Sequence, residues 1–157
     1  MSKAGYSVQT GAAVALVAAT AKTALFAVSG TGYGLDLKKF RIGFDGVTAS
    51  AIPVFWEVNY LTAATNSTAG TGNTSATINQ AYGRAISAGF TAGYNCTSEP
   101  TVQSNIDSDL LTPNGGLLVY DFPLGDVPDS AASQGFAIRL TAPAAVNVRV
   151  SMFLERM

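Results

Sequence analysis

The chain has 157 residues and a formal net charge of −1, and charged residues make up only 12% of it, about half of the roughly 25% usual in globular domains. That length fits one domain, residues 1–157, with a real core, and the charge balance lacks the basic footprint of a nucleic-acid binder. There is no histidine, which excludes Ser-His-Asp and Cys-His catalysis and a His-ligated zinc site.

Taken in order, the chain begins with the apolar run GAAVALVAATAK after Lys3. Ala19-Thr20-Ala21 mimics a signal-peptide cleavage site. The polar approach of Tyr6, Ser7, Gln9 and Thr10 is at odds with that reading, so the segment is expected to stay with the domain, its start tied down by packing. Lys22 interrupts a run made mostly of Ala and Thr, which argues against a transmembrane span. Val14, Leu16 and the stretch Thr23 to Val28 predict two early strands. Gly30, Gly32 and Gly34 punctuate; a phosphate loop would need a helix after them, and LDLKKF reads as a strand instead. LKKFRIGF alternates, with Phe40, Ile42 and Phe44 on one face and Lys39 and Arg41 on the other. Asp45-Gly46 is a turn signal.

PVFWEVNYL is the strongest strand, with Val54, Trp56, Val58 and Tyr60 on one face and Phe55, Glu57 and Asn59 on the other. QAYGRAISAGF is expected as a strand with bulges at its glycines. Asn114-Gly115 predicts a turn feeding the strand LLVYDF, and Pro123, Gly125, Pro128 and Asp129 build a loop. GFAIRLTAP and AVNVRVSMFLER close the chain as two strands about a turn at Ala142, Pro143 and Ala144. Val146, Val148, Val150, Met152 and Leu154 face one way, and Asn147, Arg149, Ser151 and Phe153 the other. No long amphipathic helix, internal repeat or linker is visible. The fold class is therefore all-β: a jelly-roll sandwich of about eight antiparallel strands in two sheets, with little or no helix.

Few side chains are candidates for chemistry. Asp107 and Asp109 could ligate calcium, but the glycine and bidentate glutamate of a calcium loop are missing, and a polar turn is the plainer reading. Glu57 sits on an apolar strand, where an unpaired carboxylate is costly. A partner arginine (Arg84, Arg139 or Arg149) or an interface explains it better than a general acid, since a glycosidase would need a second carboxylate. Lys38, Lys39 and Arg41 form a small basic cluster that could dock an acidic surface or be an ordinary solvated face. Asn66, Asn73 and Asn95 open glycosylation sequons read as accidents of a Thr- and Asn-rich chain. Cys96 is alone, so it forms no internal disulfide, and no basic neighbour in sequence activates it. No cofactor, metal or enzymatic activity is expected.

Low charge also gives little colloidal repulsion. That points to a subunit hiding surface against copies of itself or a partner, the alternative being a secreted β domain. FWEVNYLTAATNSTAGTG, NQAYGRAISAGF and GFAIRLTAPAAVNVRVSMFLER together resemble the small jelly-roll head decoration, or cement, proteins of tailed bacteriophages. The resemblance is one of texture over most of the chain. It implies a structural virion protein, made in the host cytoplasm and located on the outer surface of the capsid. It further implies a homotrimer bound to the major capsid protein, with no nucleic-acid or membrane partner and no catalytic residue.

The uncharged stretch Leu61 to Gln80 fits that expectation, because small polar side chains lose little rotamer entropy on ordering and avoid the desolvation cost of ions. Thr65, Asn66, Ser67, Thr68, Thr71, Asn73 and Thr74 are its candidate interface residues. The alternative function is a carbohydrate-binding or receptor-binding jelly-roll module of a phage fibre or tail, with Tyr33, Tyr82 and Tyr94 as candidate stacking platforms.

Overall fold

The computed structural model of the protein describes residues 3–45, 52–61, 73–100 and 103–157. Regular structure among them is strand only. The chain runs through β1 (Ala4–Gln9), β2 (Val14–Leu16), β3 (Ala21–Ser29), β4 (Leu35–Asp45), β5 (Val54–Leu61), β6 (Thr74–Ser75), β7 (Ile78–Tyr82), β8 (Phe90–Tyr94), β9 (Gln103–Leu111), β10 (Leu117–Asp121), β11 (Asp129–Ser130), β12 (Gly135–Thr141) and β13 (Val146–Arg156).

These strands form two antiparallel sheets packed as a β-sandwich. The seven-stranded sheet has the order β10-β4-β13-β1-β7, with β11 also on β4 and β2 also on β13; the six-stranded sheet has the order β6-β8-β3-β12-β5-β9. Period-2 patterning explains the faces. In β13, Val146, Val148, Val150, Met152 and Leu154 are buried while Asn147 and Arg149 are exposed. Across the interior, Phe40 sits among Trp56, Tyr120 and Phe122, with ring centroids 5.4, 5.3 and 6.0 Å away. Burying each large apolar side chain contributes about 1.5–3 kcal/mol relative to exposure.

β3 is buried along nearly its whole length instead of alternating. Leu25 and Ala27 face the main core, whereas Phe26 and Val28 point to the outer side and join Leu61, Cys96 and Ala137 in a second apolar cluster. A strand covered on both faces reads as a continuous apolar run, which is what the stretch from Ala24 to Val28 is.

The structure differs from the sequence reading at several elements. The polar approach near the N-terminus is itself a strand: β1, from Ala4 to Gln9, pairs with β13 and β7, while the start expected to be tied down by packing, residues 1 and 2, lies outside the described residues. The expected bulged strand over QAYGRAISAGF is two strands in different sheets, β7 and β8, separated by residues 83–89. Asp107 and Asp109 lie in an edge strand, β9, and not in a turn. The turn at Asn114-Gly115 is present, with Gly115 at φ 76°, a left-handed backbone that glycine adopts without strain. It carries the chain from one sheet to the other, as does the turn at Ala142 to Ala144. Gly46 of the expected Asp45-Gly46 turn lies outside the described residues.

Candidate interaction surface

Among the described residues, β9 and β10 are the free edges of the two sheets on one flank of the sandwich, joined by residues 112–116. They are built differently. β9 carries an irregularity opposite Val58/Asn59. Its Asp107 carboxylate accepts from Ser108 N at 2.9 Å, and Asp109 accepts from Leu110 N at 2.8 Å. Both aspartates stand opposite core residues, Val58 and Trp56, so they are charges on the inward side of an edge strand. Bulges, inward charges and occupied donors are devices that keep an edge from pairing with another strand. The Asp107-x-Asp109 pattern is thereby explained without a cation. Among the described residues no group of three or more metal-ligating acids, cysteines or histidines occurs.

β10 has no such guard. Its register with β4 is regular, Leu117 to Gly43 through Asp121 to Lys39. Leu117 and Val119 point outward and are 66% and 47% exposed. Beyond them lies Arg41, whose guanidinium sits 5.1 Å from the Phe153 ring centroid. Among the described residues Arg41 forms no ion pair, whereas Arg149 Nε meets Asp45 Oδ2 at 2.8 Å. Arg41, Arg149, Gly43, Leu117, Gln9 and Thr10 line a shallow recess of about 310 Å³ on this face. On the opposite sheet, Leu110 and its cross-strand partner Phe55 are exposed at 59% and 38%.

The basic cluster expected at Lys38, Lys39 and Arg41 is divided by its surroundings. A register shift between Phe153 and Leu154 leaves Lys38 as an extra residue on β4, and its Nζ reaches Asp36 at 3.3 Å and Glu155 at 3.0 Å. Lys3 joins the same acids at 3.1 and 3.4 Å. The hydrogen bond and charge of Asp36 raise the Lys3 pKa. At Glu155 burial opposes ionisation, but hydrogen bonds from Tyr82 and Lys38 overcome it and lower its pKa. Lys39 meets Asp121 at 3.4 Å. Only Arg41 of the three keeps its charge uncompensated. Glu57 receives both bonds of an arginine fork from Arg139, one of its three expected partners, with Arg139 Nε to Oε2 at 2.8 Å and Nη2 to Oε1 at 3.0 Å.

The candidate interface residues Thr65, Asn66, Ser67, Thr68 and Thr71 lie outside the described residues, as does the sequon residue Asn66. Asn73 and Thr74 are described. Thr74 is exposed on β6 opposite Tyr94, and Asn73 places its Oδ1 over Gly93. The tyrosines proposed as platforms are engaged by the chain itself. Tyr33 lies under the Arg156 guanidinium, 3.7 Å from centroid to Cζ, and its hydroxyl donates to Ala88 O. Tyr94 packs against the core. Tyr82 is half-exposed, with its hydroxyl bonded to Glu155.

The exposed leucines of the flank were missed in the sequence, although a signal existed. Leu110-Leu111 and Leu117-Leu118 are doublets in strands, and successive strand residues point to opposite faces. One leucine of each doublet must therefore leave the core. Comparison of the chain with protein-family models, with curated proteins and with solved structures returns no match.

Proposed function

We propose that this chain is a structural virion protein: a capsid decoration, or cement, protein that binds the outer surface of a tailed-bacteriophage head as a homotrimer and stabilises the shell. The observation that carries the reading is the β9/β10 flank. There Phe55, Leu110, Leu117 and Val119 expose large apolar surface on a chain with few charges to keep it apart from other copies. Leu117 and Val119 pair on the outer face of one sheet and Leu110 and Phe55 on the outer face of the other, and exposed apolar clusters of this kind support a reading as protein contact sites.

The strand succession supports the same reading. With β1/β2 and β10/β11 each counted as one interrupted strand, the sheets contain β10-β4-β13-β1 and β3-β12-β5-β9. That succession of eight strands supports reading the sandwich as a jelly roll, with β6 to β8 as an insertion that extends both sheets at the β1 and β3 side. Jelly rolls serve in viral capsid and lectin domains, so the architecture is compatible with assembly without dictating it.

The test is reconstitution. Purified protein added to heads lacking it should co-sediment with them at a fixed ratio and raise their resistance to heat and osmotic shock. Heads that neither bind it nor gain resilience would refute the proposal. A carbohydrate-binding role is favoured only by half-exposed Tyr82 beside Lys38, Lys39 and Asp121 in a recess of about 160 Å³; specific retention on a glycan array that Tyr82→Ala abolishes would shift the assignment to that role.

A further inference from the structure

We infer that the chain associates with copies of itself head to tail, the acidic β9 flank of one copy docking on the Arg41 face of the next. The inference rests on the oligomeric part of the function proposed above and assigns it a surface.

The uncompensated charges of the flank are complementary. Arg41 stacks on Phe153 with no acid in ion-pair range among the described residues, and Asp107 and Asp109 have no cation in range. Other basic side chains of the seven-stranded sheet near this face, Lys38, Lys39 and Arg149, are already paired. Leu117 and Val119 border Arg41 on the outer face of its sheet, while Asp107 and Asp109 stand at the lip of β9, on the face opposite that of Leu110. An apolar patch with arginine and aromatic surface at its centre has the composition of a protein interface.

The edges argue for the direction of the contact. β9 is guarded against strand addition by its irregularity and its aspartates, so a neighbour meets it through side chains. β10 is regular and unguarded, as an edge can be when another chain covers it. The contact joins two different patches, so it is heterologous and must close a ring or extend a filament. The two patches lie on either side of the corner made by residues 112–116.

The test is mass in solution by sedimentation velocity over a concentration series, using the full chain. The wild type should sediment as a closed multiple of its 16.1 kDa mass. Arg41→Glu, and separately Asp107→Lys with Asp109→Lys, should each raise the dissociation constant by about tenfold or more, since like charges then face each other. The triple reversal, Arg41→Glu with both Asp→Lys changes, should recover association, because the pairing is restored with its signs exchanged. Arg41 and Asp109 are exposed and Asp107 is partly so, and Leu117→Asp probes the Arg41 face without touching Arg41. A wild type that stays monomeric at about 1 mM, or an associating wild type indifferent to all of these changes, overturns the inference. Head binding separates the two proposals: a protein that binds heads while Arg41→Glu leaves its mass unchanged refutes the interface alone. A protein that associates through this interface but ignores heads refutes the virion role alone.

Discussion

Arg139 and Glu57 face each other across β12 and β5, joined by two parallel hydrogen bonds on the outer side of the six-stranded sheet. The glutamate is mostly buried, and the hydrogen bond and charge of Glu57 raise the arginine pKa. Removing one partner strands the other, so Glu57→Ala or Arg139→Ala should each cost about 1–3 kcal/mol in urea unfolding. Replacing both with apolar residues of similar size should cost less than the sum of the two. Additive losses would mean that the fork contributes nothing as a pair.

The Phe26 ring lies across Gly93, its cross-strand neighbour on β8. A Cβ at position 93 would fall 2.7 Å from Phe26 Cζ and 2.8 Å from Asn73 Oδ1. Gly93→Ala should therefore lower stability by about 1–3 kcal/mol through overpacking. Phe26→Leu in the same chain should recover part of the loss. Equal melting temperatures for wild type and Gly93→Ala would show that the outer cluster yields freely.

Acid should weaken the tie between the chain start and the sheet. The Glu155 pKa is lowered in the fold, so its contribution is present above the ordinary glutamate value of about 4.3. It is lost as pH falls from there through the folded value. The stability gap between wild type and Glu155→Gln should be full at neutral pH and shrink in that acid window. A gap that stays constant down to strongly acid pH would show that the ionised carboxylate is not what stabilises.

Cys96 is buried in the outer cluster, and burial, with help from Glu99, pushes its thiol pKa up to about 12. Thiolate is the reactive form. A disulfide reagent at pH 8 should leave the native thiol nearly untouched and titrate one thiol per chain in urea. Native labelling as fast as that of a free thiol would contradict this placement.

Much of the architecture was legible in residue patterning. The alternation in LKKFRIGF, PVFWEVNYL and AVNVRVSMFLER set which side chains point inward, because a strand's period of two does not depend on its partners. β1 and β9 were missed because Tyr6, Val8, Ile106 and Leu111 are spaced among Ser, Gln, Asn and Asp. Such residues can sit on a strand's solvent face or at its edge as readily as in a loop. Whether QAYGRAISAGF made one strand or two depended on which sheets its halves joined, a long-range choice with no local signature.

The site divides in the same way. The sequence by itself determined that this chain has little charge, no histidine and a two-faced strand pattern, since those follow from residue type and the geometry of one extended backbone. It also suggested an arginine such as Arg84, Arg139 or Arg149, or an interface, as the partner of Glu57. Tertiary structure alone chose Arg139 among them, neutralised Lys38 and Lys39 while leaving Arg41 unpaired, and brought the outward leucines of two edge strands to one flank. Charge pairing and exposure are properties of neighbours, and in a fold built of cross-sheet connections the neighbours lie far away along the chain.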